Sequence, residues 1–181
     1  MVGRESRRAL RGTVATVIAA LVLGLAVRGF LVEPLVVEGR SMQNTLQYGE
    51  RVLASRVSLL LGPLHYGAIV VFTPPPAAGS TALSIQRVIA VGGQTVAMED
   101  GQVYVNGRKM PQPFLRDSQG STKDHWSMPP FKVPAGDIWV LGDDRAASED
   151  SRLFGFVKLS AVQGVVFWIF WPLSHFGPVK D

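Results

Sequence analysis

Three stretches of this chain gather residue types that can do chemistry. The first, Val37-Glu38-Gly39-Arg40-Ser41-Met42-Gln43-Asn44-Thr45-Leu46, sets a serine hydroxyl two residues after a glycine. Gly39 permits a sharp turn or a close approach of backbone to a ligand. The second is Ser84-Ile85-Gln86-Arg87-Val88-Ile89. The third runs from Gly142 to Arg152 and mixes the carboxylates Asp143 and Asp150 with the guanidinium groups of Arg145 and Arg152, around Ser148. A serine hydroxyl is a weak nucleophile until an adjacent base takes its proton. Ser41 therefore signals acyl transfer only in company, and a lone serine of this kind is more often a turn residue. Asp143 and Asp150 suggest a carboxylate pair, but the arginines beside them argue for structural ion pairs. By itself the third stretch reads equally as a solvated loop with Asx turns. His65, His125 and His175 stand singly, and Lys109, Lys123, Lys132 and Lys158 each lie in or near a turn. There is no cysteine and no metal-ligand spacing, so no metal or other cofactor is expected.

Such residues need a scaffold, and the chain provides two parts. Residues 13–32 are apolar except for Arg28, close to the roughly 20 residues that cross a bilayer core. Arg28 lies near the far end, where its stem can reach the headgroups. Arg4, Arg7, Arg8 and Arg11 precede this stretch against Glu5 alone, which orients the N-terminus to the cytoplasm. A cleaved signal peptide has a similar layout. However, Arg28 occupies the region where cleavage would fall, and apolar residues resume after it. The expected division is a basic cytoplasmic tail over 1–12, a transmembrane anchor over 13–32 and an extracytoplasmic domain over 33–181. The net charge of +4 resides largely in the tail, and no basic stripe with interleaved aromatics marks a nucleic-acid binder.

The domain reads as mainly β, an antiparallel β-rich unit behind one N-terminal transmembrane helix. Glu33-Pro34 ends the helix. Short β-rich runs follow at 35–37, 51–57, 68–72, 83–91, 103–107, 138–141 and 164–171. The 83–91 run alternates as though one face were buried. Asn106-Gly107 is a type I′ hairpin signal. Residues 74–79 and 111–130 read as loops. The aromatic run Phe167 to Trp171 reads as a core strand.

Taken in order behind an apolar anchor, the three stretches resemble the type I signal peptidases, the serine–lysine bacterial leader peptidase family. That family's nucleophile loop reads Ser-Met-x-Pro-Thr-Leu, and residues 41–46 are similar. Its base-bearing strand reads Lys-Arg-Val-Ile, and residues 86–89 are similar. Its late motif reads Gly-Asp-Asn-Arg-Asp-Asn-Ser-x-Asp-Ser-Arg, and residues 142–152 match at most positions. Fainter likeness extends through Tyr66 to Phe72 and Trp171-Pro172-Leu173. The resemblance implies a membrane-bound serine endopeptidase that removes signal peptides from secretory preproteins after small residues. It implies Ser41 as nucleophile and position 86 as the base. Ser148 would orient that base, and Asp150 with Arg152 would brace the site. Arg87, Asp143 and Arg145 support it, and Met42 and Ile85 flank the substrate pockets. The expected partners are preprotein cleavage regions and the lipid bilayer.

The chain departs from the family pattern most sharply at Gln86, which stands where the lysine base is expected. A buried lysine can lose its proton near neutrality and then accept another. An amide has no basic nitrogen. Asn44 replaces a proline, and Ala146 and Ala147 replace Asp and Asn. The other function these residues allow is therefore a catalytically impaired relative that binds signal-peptide segments or assists an active peptidase.

Overall fold

A computed structural model describes residues 13–20, 24, 32–43, 45–115 and 125–179. Residues 13–20 and 24 are helical. Among the described residues no helix is long and apolar enough to cross a membrane, and the tail and much of the expected anchor lie outside them.

The rest is built on strands: β1 (Val32–Val36), β2 (Arg51–Ser55), β3 (Ile69–Phe72), β4 (Ser84–Val91), β5 (Thr95–Glu99), β6 (Gln102–Val105), β7 (Arg108–Lys109), β8 (Met128–Lys132), β9 (Asp137–Leu141), β10 (Val157–Lys158), β11 (Val162–Trp171) and β12 (Gly177–Pro178). Two one-turn helices join them, α1 (Ser58–Leu61) and α2 (Ser151–Phe154). One sheet follows the order β1-β2-β11-β3-β4-β9-β10, with β12 on β11. The smaller sheet runs β7-β6-β5-β8. The described pairings are all antiparallel, as the sequence implies.

Three prolines mark sheet edges. Pro34 sits inside β1, where the missing N–H is harmless because β1 ends the large sheet. The strand starts at Val32, so the last residue assigned to the anchor already pairs with Ser55. Pro129 and Pro130 sit inside β8, the edge of the small sheet. A proline-rich stretch expected to be a loop through 130 thus becomes strand from Met128.

The core has three parts. Val70, Phe72, Val88, Ile138 and Val140 form one face of the large sheet, packed with Leu59 and Phe154. On the opposite face Ile69, Val71, Val52 and Val166 pack under Met42 and Leu46. Further along that face Ile89, Trp139 and Leu141 meet Val96, Met98 and Val103 of the small sheet. Strand β4 is therefore covered on both faces, and Gln86 through Ala90 are all buried rather than alternating. The 167–171 run divides: Ile169 is core, whereas Phe167 and Trp171 are exposed. Asn106 and Gly107 both take positive φ, 51° and 75°, as a type I′ turn requires.

Candidate active site

Ser41 lies in the long connection from β1 to β2. Backbone bonds from Val37 N–H to Glu50 O and from Gly49 N–H to Val37 O close the base of this loop. Within it, a tight turn begins at Arg40, whose carbonyl accepts from Gln43 N–H, and Leu46 N–H donates to Met42 O. Met42 and Leu46, essentially without exposed surface, fasten the turn to the core. Ser41 therefore sits on an ordered turn and keeps partial exposure. Gly39 has no left-handed backbone, and a Cβ placed there would meet only Ser41 Oγ, at 3.8 Å. The glycine thus leaves space beside the hydroxyl instead of making the bend.

Strand β4 brings the second motif to the same place. Successive side chains on a strand face opposite ways. Gln86 lies opposite Val70 and Arg87 opposite Ile69, so the two belong to different faces of the sheet. Arg87 is fully buried and bonds Asp143 through both Nε (2.9 Å) and Nη2 (2.8 Å). Its Nη1 donates to Gly67 O at 2.7 Å, and the Phe114 ring lies 4.0 Å from Cζ. Thr45 Oγ1 accepts from Arg87 and donates to Asp143, tying the Ser41 loop to this pair.

The 142–150 loop completes the site. Asp144 N–H donates to Ser41 O at 2.8 Å. Gly142 is forced by closeness: a Cβ there would lie 2.3 Å from Ser148 Oγ and 2.6 Å from Ser41 O. Asp150 caps α2 and holds the loop shut, accepting from Gly142 N–H (3.1 Å) and from Arg152 Nε (2.8 Å). Arg152 reaches back to Arg145 O, and Arg145 donates to Gly142 O and to Gln112 Oε1. Asp150 pairs with Arg152, whereas the Asp143 carboxylate is held by Arg87 of the second motif.

Gln86 is the outlier. Its Nε2 donates to Glu149 O at 2.6 Å, but its buried Oε1 has no partner among the described residues. Ser148 Oγ, also buried, likewise has none. Ser41 Oγ donates to Ile85 O at 3.4 Å rather than to Gln86. Ser41 and Gln86 line a groove of about 600 Å³ between residues 34–42 and 82–86, which Ala147 and Glu149 also line. Met42 and Ile85 line it, as expected for substrate-flanking residues, and Met42 also serves the core.

Of the other candidate bases, Lys123 lies outside the described residues. His125 pairs with Asp100, His175 with Glu50, and Lys158 with Asp137. No lysine or histidine is among the groove-lining residues. Among the described residues no group of side chains can hold a metal ion. The sequence reading missed Phe114 and Gln112, which support Arg87 and Arg145 from the connection between β7 and β8. Nothing in their local sequence signals the contact. Burial pushes the Tyr66 hydroxyl up to about 12, against the opposing pull of Arg145 and Arg87. Tyr66 donates to Pro111 O at 2.6 Å.

A serine on a rigid turn, in a groove, braced by two buried carboxylate–arginine pairs, defines a serine-hydrolase type of site. The family model "Signal peptidase, peptidase S26" matches residues 10–171, and the chain belongs to that family. It is 32% identical over 173 residues to the probable signal peptidase I-1 of Synechocystis sp. (strain ATCC 27184 / PCC 6803 / Kazusa), covering 93% of this chain and 86% of that protein. It is 35% identical over 158 residues to the signal peptidase I of Bacillus caldolyticus, covering 82% and 85%. A crystal structure of a signal peptidase I from Enterococcus faecalis V583 superposes with a TM-score of 0.48 at 30% identity, covering 57% of this chain and 97% of that one.

Proposed function

We propose that this chain is a membrane-tethered serine endopeptidase of the signal peptidase I type, removing signal peptides from secretory preproteins. Ser41 is the nucleophile, with its hydroxyl in the groove. The observation that carries this reading is the clamp between the two motif loops. Asp144 N–H on Ser41 O and the closeness enforced at Gly142 hold the hydroxyl-bearing turn against the 142–150 loop. Such fixed geometry is what a nucleophile requires.

Substrate binding follows from strand edges. Residues Ser84 to Gln86 pair with β3 on one side, whereas the ladder with β9 begins only at Arg87. Strand β1 is likewise paired on one side. The two half-paired segments flank the groove, so an extended peptide can add to them through main-chain bonds. Met42 and Ile85 give an apolar lining beside Ser41, suited to small apolar residues before the scissile bond. Arg87 with Asp143 and Asp150 with Arg152 hold the two loops, and Ser148 and Gln86 occupy the base end. Ser41's own backbone N–H holds the tetrahedral oxyanion, since Gly39 carries no hydroxyl.

Residues 13–32 serve as the anchor, with the N-terminus cytoplasmic and the domain outside. Support comes from the apolar length and the arginine-rich tail. The test is cleavage of a preprotein by the full chain in proteoliposomes. Ser41→Ala abolishes cleavage; turnover that survives this change removes Ser41 from the mechanism.

A further inference from the structure

Activation of Ser41 requires a proton acceptor, and Gln86 is not one. The acceptor must reach the groove. Among the described residues the groove's ionisable side chains are Glu38, Arg40 and Glu149. Arg40 cannot act, because a guanidinium does not lose its proton in proteins. Glu38 is on the same wall as Ser41, three residues before it. Glu149 is on the opposite wall, in the loop held against Ser41 O, and its own carbonyl is the one that Gln86 Nε2 bonds at 2.6 Å. It is exposed, so its carboxylate is free to turn into the groove.

We propose that the Glu149 carboxylate is the proton acceptor for Ser41, acting through one water molecule in the groove. This rests on the peptidase reading of the same site. As Ser41 Oγ bonds to the scissile carbonyl carbon, its proton passes to the water, and a proton of that water passes to Glu149. The Glu149 carboxylic acid then protonates the leaving amine as the C–N bond breaks. In the second half a water attacks the acyl carbon. Its proton goes to Glu149, and Ser41 Oγ leaves with a proton returned from Glu149. Every proton taken is given back, and no other reactant is needed. Gln86 has a positioning part: its amide fixes the Glu149 backbone beside the groove that Ser41 lines. General-base transfer of this kind is worth about 10²–10⁴ in rate.

The experiment is a double-mutant cycle on preprotein cleavage by the full chain, using Glu149→Gln, Gln86→Lys and the two combined. In the parent chain Glu149→Gln lowers kcat/KM by about 10²-fold or more, chiefly in kcat, and Glu149→Asp restores part of it. In the Gln86→Lys background, where an amine supplies the base, Glu149→Gln changes kcat/KM by less than about threefold, well under one such step. An equal loss in both backgrounds assigns Glu149 a structural role and overturns the proposal. So does a parent chain indifferent to Glu149→Gln. Turnover by Gln86→Lys with none by the parent overturns both this proposal and the peptidase reading of the parent chain, whereas the two outcomes before it leave that reading intact. If neither chain cuts, the peptidase reading falls and this proposal with it.

Discussion

Gln86 and Arg87 are neighbours on one strand, yet their surroundings differ completely. Arg87 is fully buried, and its guanidinium meets two carboxylate oxygens, a carbonyl, a hydroxyl and an aromatic face. Gln86 is buried just as deeply but leaves its carbonyl oxygen without a partner, next to a loop whose Ser148 hydroxyl is also unpaired. Buried polar groups are normally satisfied, and an orphan costs about 1–3 kcal/mol. One face of β4 is thus a finished structural clamp. The other is a reaction site one donor group short. The acceptor that Gln86 meets, Glu149 O, suits a side chain that only donates. Lysine is such a side chain, with three donors and no acceptor.

The contrast breaks most visibly at position 86. Gln86→Lys should raise kcat/KM for preprotein cleavage, but by less than about 10²–10⁴, the worth of a whole general base, because Glu149 already supplies one through water. A variant that folds, binds substrate and gains nothing would show that the site lacks more than this group.

On the clamp face the effect should appear in stability. Arg87→Met strands the buried Asp143 carboxylate, and breaking one partner of such a pair costs about 3–5 kcal/mol. Denaturant unfolding of the domain measures it. Loss below about 1 kcal/mol would mean that water reaches Asp143 and that the pair is not truly buried.

A finer comparison sets two hydroxyls side by side. Thr45→Val removes bonds to both Arg87 and Asp143 and should cost about 1–3 kcal/mol, as for hydrogen bonds to charged groups. Ser148→Ala removes a buried hydroxyl with no partner among the described residues, so it should leave the domain no less stable and raise stability by up to about 1–3 kcal/mol. Equal costs would erase the distinction between a satisfied and an unsatisfied face.

The smallest effect concerns Tyr66 at alkaline pH. Its hydroxyl is raised from 10.0 to about 12 in the folded chain, chiefly by burial. The folded value lies above the unfolded one, so this contribution to stability is intact below pH 10 and is lost as pH climbs toward 12. Melting temperature should fall more steeply over that interval than in Tyr66→Phe. Parallel curves would mean that Tyr66 ionises as freely as in the unfolded chain.

Much of the site was legible because its motifs are short and local. The Ser41 turn, the 86–89 strand and the 142–152 loop each declare themselves by residue type, and Asn106-Gly107 declares its hairpin through the positive φ it tolerates. What misled was position in the sheets. Pro34 read as the end of the anchor helix and Pro129-Pro130 as part of a loop, but they lie in edge strands where no ladder bond is lost. The alternation in 83–91 suggested one buried face, but the second face lies under the small sheet.

The sequence alone determined the inventory: a serine on a turn, an amide where a base belongs, and carboxylates matched to arginines. Residue type limits what a group can donate, accept or lose, and that limit holds in any fold. Only the tertiary structure decided the pairings. Asp143 is bound to an arginine 56 residues away, while Asp150 keeps one two residues away. Phe114 covers Arg87 from the connection between β7 and β8, and Glu149 is carried to the groove that Ser41 lines. Contacts between segments far apart in the chain depend on sheet order and register, which no local spacing encodes.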